Sequence, residues 1–283
     1  MKTLDESIEN CREMAKLASV VFPEESKEQE QMAQWLEELK VKRVVGSPCG
    51  TGISICILTY NVMFYNKLTI RNIREMTRLI PYEILVLDNG SDDGSREWLE
   101  SQSDVRVIRW TGAGQLKHGA ALDYLVRHEA KYPIVCTLCS DAFPTSPEWL
   151  SPVFQLSDEV MLSGVSRGYG RVTKDYVCPS YLFGWTSWLK NHSFMDTWPT
   201  TDTGENLTKE CLEEGKRVHF VPVQQETFDG RFSPKGCNYS GLVWHVWWGG
   251  RYKTSPAVVG TEVEAGYHDF MVEYLRQKYN LDF

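Results

Sequence analysis

Three apolar runs in this 283-residue chain end on polar side chains suited to holding oxygen-rich or cationic groups. "ISICILTYN" closes on Thr59-Tyr60-Asn61, "EILVLDNGS" on Asp88-Asn89-Gly90 and "VCTLCSDAFP" on Ser140-Asp141. A carboxylate at the end of a buried strand is a hard oxygen ligand, suited to Mg²⁺ or Mn²⁺, and such a cation can bridge to a diphosphate. It would stabilise the charge that develops on a departing nucleoside diphosphate. Asp88 can accept a base N–H or a ribose hydroxyl, and Thr59 and Asn61 can bond a base edge or ribose. Neither GxGxxG nor GxxxxGK[ST] follows the first run, so a nucleotide here would be held by side chains and a metal rather than by a glycine-rich phosphate cradle. The plainer reading of Asp141 is a turn residue, and of the three strand ends, ordinary loop starts.

These groups converge only if the elements between them place them on one edge. Short apolar runs at 53–61, 83–91, 105–110 and 133–138 read as strands. Residues 66–79, the stretch "DGSREWLES" and residues 115–130 read as helices from their apolar spacing and acidic or Ser N-termini. Strictly alternating strands and helices predict a mainly parallel sheet with helices on both faces. In such sheets ligands collect outside the carboxyl ends of the strands, where all three polar ends would lie.

Residues 1–42 differ from the rest: rich in Glu and Lys, they carry helical stretches at 4–19 and 24–40 separated by Pro23. They read as a helical extension packed on the main domain, or as a partner-binding arm. The expected organisation is a helical extension over 1–46, a nucleotide-binding half over 47–165 and a second half of the same domain over 166–283.

Composition narrows the function. A net charge of −8 argues against general nucleic-acid affinity, which needs a basic patch. No apolar run approaches the roughly 20 residues that span a bilayer. The first residues contain acids and no apolar signal core, so a cytoplasmic location is expected, with the eight cysteines as thiols. Cys136 and Cys139 form a lone CxxC within an apparent strand, a weak signal for zinc or redox chemistry. Ten tryptophans suit either sugar stacking or a large core.

"ISICILTYN", "EILVLDNGSDDGSREWL", "HGAALDYLV" and "VCTLCSDAFP…EWL", in that order and spacing, resemble the family 2 glycosyltransferases of GT-A fold. The likeness is strong over 53–165 and looser beyond. It implies a Rossmann-like α/β domain, a nucleotide-sugar donor, usually a UDP-sugar, and Mn²⁺ or Mg²⁺ on a D-x-D-like motif. By resemblance, Thr59, Tyr60 and Asn61 line the nucleoside pocket and Asp88 contacts the base, with Asn89 and Ser140 beside them at the same edge. His118, Gly119 and Asp123 match the block that runs near the donor, and Asp141 matches the last acid of the metal motif. Cys139 stands where the first acid is expected. Thiolate is a poor ligand for Mg²⁺, so Cys139 reads as a wall residue.

In the second half, "SFMDTWPTTDTGENLTKECLEEGKRVHFVPV" resembles the family's acceptor-side segment, where an acid acts as general base on the acceptor hydroxyl. Glu205 matches the first acid of that pair, Asn206 replaces the second, and Asp202 is near enough to serve. Asp202 and Glu205 are therefore both candidates, with helix capping as the alternative. In "GLVWHVWWGGR", His245 sits where a late metal ligand of such enzymes can fall, although a buried hydrogen-bonded histidine fits as well. Trp244, Trp247 and Trp248 are placed to stack a sugar or pack a core, and Arg251 to grip phosphate. The reading is metal-dependent transfer of a sugar to an acceptor hydroxyl with inversion. The acceptor (glycan, small molecule, protein or modified nucleic acid) is not readable. A non-catalytic nucleotide-binding scaffold and a sugar-phosphate nucleotidyltransferase are the alternatives.

Overall fold

The computed structural model describes residues 52–77, 80–112, 114–167, 175–196, 201–226, 236–246 and 267–283. The helical extension expected at the N-terminus, Trp247, Trp248 and Arg251 lie outside the described residues.

The first run forms β1 (Ile53–Thr59), and the pattern then repeats as α1 (Met63–Met76), β2 (Tyr82–Asp88), α2 (Ser95–Glu100), β3 (Val105–Arg109), α3 (His118–Tyr124) and β4 (Ile134–Cys139). Alternation decides which face each residue serves. Ile53, Ile55 and Ile57 of β1 pack with Ile70 and Ile73 of α1 on one side of the sheet. Cys56 packs with Leu122 of α3 and with Leu125 and Val126 of its widened last turn on the other. Both faces are covered, so β1 reads as nearly continuous apolar sequence. Helix α1 starts three residues earlier than its periodicity predicts, because the Asp93 carboxylate accepts the Met63 N–H at 3.1 Å from a neighbouring loop.

The chain continues through β5 (Ala142–Pro144), β6 (Val160–Arg167), β7 (Tyr176–Trp185), α4 (Thr186–Leu189), α5 (Glu205–Glu213), β8 (Arg217–Val221), β9 (Gln224–Glu226), β10 (Gly236–Tyr239), β11 (Val243–His245) and α6 (Tyr267–Tyr279). Among the described residues the main sheet has seven strands in the order β3-β2-β1-β4-β7-β6-β8. The four expected strands are mutually parallel; β7 enters antiparallel to β4 and to β6. This is the mainly parallel α/β sheet flanked by helices that the alternation predicts. A smaller antiparallel sheet, β5-β11-β10-β9, grows from the short strand that follows β4. No described helix is long and apolar enough to cross a membrane.

Candidate active site

Register brings the polar strand ends to one level. Thr59 pairs with Asp88, Asp88 with Arg109, and Leu58 with Cys139. The ends of β2 and β4 are thus two strand spacings apart, about 10 Å. That is the scale on which an extended nucleotide separates its base from its diphosphate.

Within this edge the acids divide by task. Asp88, 1% exposed, turns its carboxylate onto the N–H groups of Gly90 and Ser91. Asn61, at φ 52°, exchanges two bonds of 2.8 Å with Asp92 and donates its N–H to Ser91 Oγ. Asp93 caps two helices at once, accepting from Met63 N–H and Ser95 N–H. The run 88–95 therefore stitches the loop after β1 to the loop after β2. Thr59 Oγ1 donates to Asn66, and the Asn89 amide pairs both ways with the Leu116 backbone. Asp123 accepts from Ser193 Oγ at 2.6 Å and Phe194 N–H at 2.8 Å. Gly119 lets α3 approach that same segment: a Cβ there would lie 2.5 Å from the Phe194 carbonyl oxygen. Thr59, Asp88, Asn89 and Asp123 thus spend bonding capacity on the shape of the edge. Tyr60, Asn61, His118 and Ser140 are its partly exposed members.

Beyond β4 the chain kinks and re-enters a strand at once. Because β5 pairs with β11, His245 falls opposite Ala142, and Val246 N–H donates to the Asp141 carbonyl. His245 Nε2 then lies 3.2 Å from Asp141 Oδ1. The Cys139 sulfur joins them: one donor atom each from Cys139, Asp141 and His245 falls within 4.8 Å of the others. Cys139, read from the sequence as a wall residue, is part of this cluster. Asp141 and His245 are 8% and 4% exposed, so they are far from ordinary turn residues.

A second layer orients the imidazole. Tyr239 Oη is 2.5 Å from His245 Nδ1 and 3.2 Å from Ser180 Oγ, and Ser180 Oγ donates to Cys178 Sγ at 3.2 Å. Burial holds the Tyr239 phenol well above its ordinary range, so it keeps its proton. With Ser180 donating onward, its oxygen accepts from Tyr239, and the Tyr239 oxygen accepts from His245 Nδ1–H. The neutral imidazole would then turn a bare Nε2 lone pair toward a carboxylate. A lone pair and a carboxylate facing one another in this way are what a cation shared by both groups would complete. Nitrogen, oxygen and sulfur donors this close, with the histidine's far nitrogen already tied down, fit a divalent cation.

Of the two acids read as general-base candidates, Asp202 is also tied to β7. Asp202 accepts from Tyr176 Oη at 2.5 Å, Arg167 Nη1 at 3.2 Å and Thr203 N–H at 2.8 Å. Burial pushes the Asp202 carboxyl up, but these donors together outweigh it and leave it below its ordinary range. Glu205 is 0% exposed and accepts the Asp202 N–H at 3.0 Å, closing the first turn of α5. The Asp202 side chain retains 39% exposure. Of the two candidates, only Asp202 presents its carboxylate outward. Gly204, at φ 90°, seats this turn on β7: a Cβ would lie 2.5 Å from the Val177 carbonyl oxygen. Since Leu138 of β4 pairs with Tyr181, the β7 residues before it, Ser180, Cys178 and Tyr176, run past the carboxyl end of β4. One strand thus supports both the Cys139–Asp141–His245 cluster and Asp202.

The sequence profile described as "Glycosyl transferase family 2" matches residues 54–203, more than half of the chain. The chain belongs to glycosyl transferase family 2. It is a glycosyltransferase of GT-A fold. No curated protein matches it. Solved structures similar to this family 2 chain include a mannosyltransferase from Pyrobaculum calidifontis in complex with GDP-Man and Mn²⁺, at 16% identity over 78% of this chain and 67% of that one, TM-score 0.49. Another is glucosyl-3-phosphoglycerate synthase from Mycobacterium tuberculosis in complex with Mn²⁺, UDP and phosphoglyceric acid, at 17% identity over 53% of this chain and 60% of that one, TM-score 0.40. S. aureus TarS is similar at 16% identity over 56% of this chain and 33% of that one, TM-score 0.45.

Of the two roles read for Trp244, stacking a sugar or packing a core, its surroundings are those of the second. Trp244 is 1% exposed and packs in the core with Tyr65, Phe143, Met271 and Leu275, with Lys278 Nζ 3.9 Å from its ring centroid. It has no open face for a sugar, because α6 covers this side of β11. The sequence reading missed Tyr239, Ser180, Tyr176 and Arg167. Only Tyr239 left a local signal: the Ser240-Gly241 turn, with φ 54° and 75°, folds β10 onto β11 and puts Tyr239 beside His245.

Proposed function

We propose that this family 2 glycosyltransferase moves a hexosyl group from a nucleoside diphosphate donor, UDP-linked by family resemblance, to an acceptor hydroxyl, with inversion at the anomeric carbon. The observation that carries the reading is the Cys139–Asp141–His245 cluster at the same edge as the nucleoside-side loops. Tyr60, Asn61 and His118 contact the nucleoside side, and Ser140 lies between it and the diphosphate. Asp141 and His245 would hold Mn²⁺ or Mg²⁺, which would offset charge on the diphosphate.

Asp202 serves as general base. It takes the proton of the acceptor hydroxyl as that oxygen attacks the anomeric carbon from the face opposite the diphosphate. The new C–O bond forms as the bond to the diphosphate breaks, and the electron pair leaves with the nucleoside diphosphate. No covalent bond to the protein is needed. Tyr176 and Arg167 hold one carboxylate oxygen of Asp202 and fix its direction. Glu205 acts as a positioning residue through the Asp202 N–H.

The test is nucleoside diphosphate release from a panel of UDP- and GDP-sugars, with and without acceptors, for wild type, D141A and D202N. Cation-dependent release that both substitutions abolish, with an inverted anomeric product by NMR, supports the reading. Nucleotide binding with no turnover on any donor overturns it and points to a non-catalytic binding protein.

A further inference from the structure

We propose that the cation site is a mixed sulfur–oxygen–nitrogen site in which Cys139 is a ligand, and that it takes Zn²⁺ or Co²⁺ in preference to Mg²⁺. The inference deepens the metal reading above and rests on it. Three observations carry it. The Cys139 sulfur lies within the same 4.8 Å cluster as the Asp141 and His245 donor atoms, so a small side-chain adjustment brings all three to one ion at ordinary bond lengths of about 2.0–2.3 Å. Cys139 carries no disulfide. The Ser180–Tyr239–His245 chain leaves Nε2 as the nitrogen that faces the cluster.

The donor set then sets the preference. Thiolate and imidazole suit borderline cations, whereas Mg²⁺ keeps its waters and selects oxygen. On binding, the Cys139 S–H proton is released to solvent and the sulfur–metal bond replaces it. A site with a carboxylate in place of Cys139 would lose this selectivity.

The experiment is a Co²⁺ titration of the full-length protein followed by absorption, in wild type, C139S, C139D and D141A. Wild type is expected to show a near-ultraviolet sulfur-to-cobalt charge-transfer band that one equivalent of Zn²⁺ abolishes and a large excess of Mg²⁺ does not. C139S should lose that band and bind Zn²⁺ more than about tenfold more weakly, since removing even an outer-shell partner of a ligand costs that much. C139D should lose the band and gain relative affinity for Mg²⁺. Co²⁺ binding that D141A weakens but that shows no charge-transfer band, or that C139S leaves unchanged, overturns the thiolate ligand while the metal reading stands. No binding of any divalent cation to wild type, with or without UDP, overturns both.

Discussion

Replacing Tyr239 by Phe removes one hydroxyl and isolates the second layer of the cation site. The ring is retained, and so is its parallel stack on Tyr181, with centroids 6.0 Å apart at 7°. Two hydrogen bonds are lost: 2.5 Å to His245 Nδ1 and 3.2 Å to Ser180 Oγ. Because His245 is 4% exposed, water does not readily replace the lost partner. The unsatisfied ring nitrogen should cost about 1–3 kcal/mol of folding stability, read by urea denaturation in the presence of chelator. Loss of an outer-shell partner should also weaken cation binding by about 10–100-fold. Measured by calorimetric titration of Mn²⁺ or Co²⁺, both effects should appear in the one variant. A variant that loses stability but binds the cation with unchanged affinity would refute the reasoning. His245 would then be a buried structural histidine and Tyr239 its ordinary partner.

Other predictions concern the acids and the core. D202N should lower kcat by about 10²–10⁴ with little change in donor affinity. Because Asp202 is held below the ordinary carboxylate range, the acid limb of the wild-type kcat profile should lie below that range; Y176F, which removes a donor that lowers it, should move the limb upward. By the same sign, the stability Asp202 contributes is present above its unfolded pKa and fades as pH falls through its folded one, which acid denaturation of wild type against D202N would read. W244A should cost about 3–5 kcal/mol by opening a cavity in the core, seen in denaturant unfolding. W244F should retain donor affinity in direct titration, and a sharp loss of donor binding in well-folded W244F would restore a sugar-stacking role.

How legible each part was follows from how local its cause is. Ile53, Ile55 and Ile57 write the buried face of β1 into alternate positions, and the convergence of Thr59, Asp88 and Asp141 follows from parallel topology alone. Asp93 shows the limit: it reads as a cap for α2, yet it also caps α1 from thirty residues away, and no period announces that bond. The same holds for His245. Its pairing opposite Ala142 depends on a short strand, β5, that begins one residue after Asp141 and is too brief to carry a periodic signal. Cys139 was read as a wall residue on chemical hardness alone; that its sulfur folds in beside Asp141 and His245 is a matter of three-dimensional packing that no local pattern carries. Trp244 and His245 are neighbours in sequence but point to opposite sides of β11, so an aromatic cluster divided into a core residue and a ligand candidate.

The most direct measurement is a thermal-shift titration of UDP with and without Mn²⁺, on wild type and D141A. A ligand present at about 100 times its dissociation constant stabilises the folded state by about 2.7 kcal/mol, ample to move the transition. The account predicts that UDP raises the wild-type transition temperature only when Mn²⁺ is present, and that D141A loses this response. Equal stabilisation of both proteins regardless of Mn²⁺, or no response of wild type with Mn²⁺ present, would contradict a cation held by Asp141 against a nucleoside diphosphate.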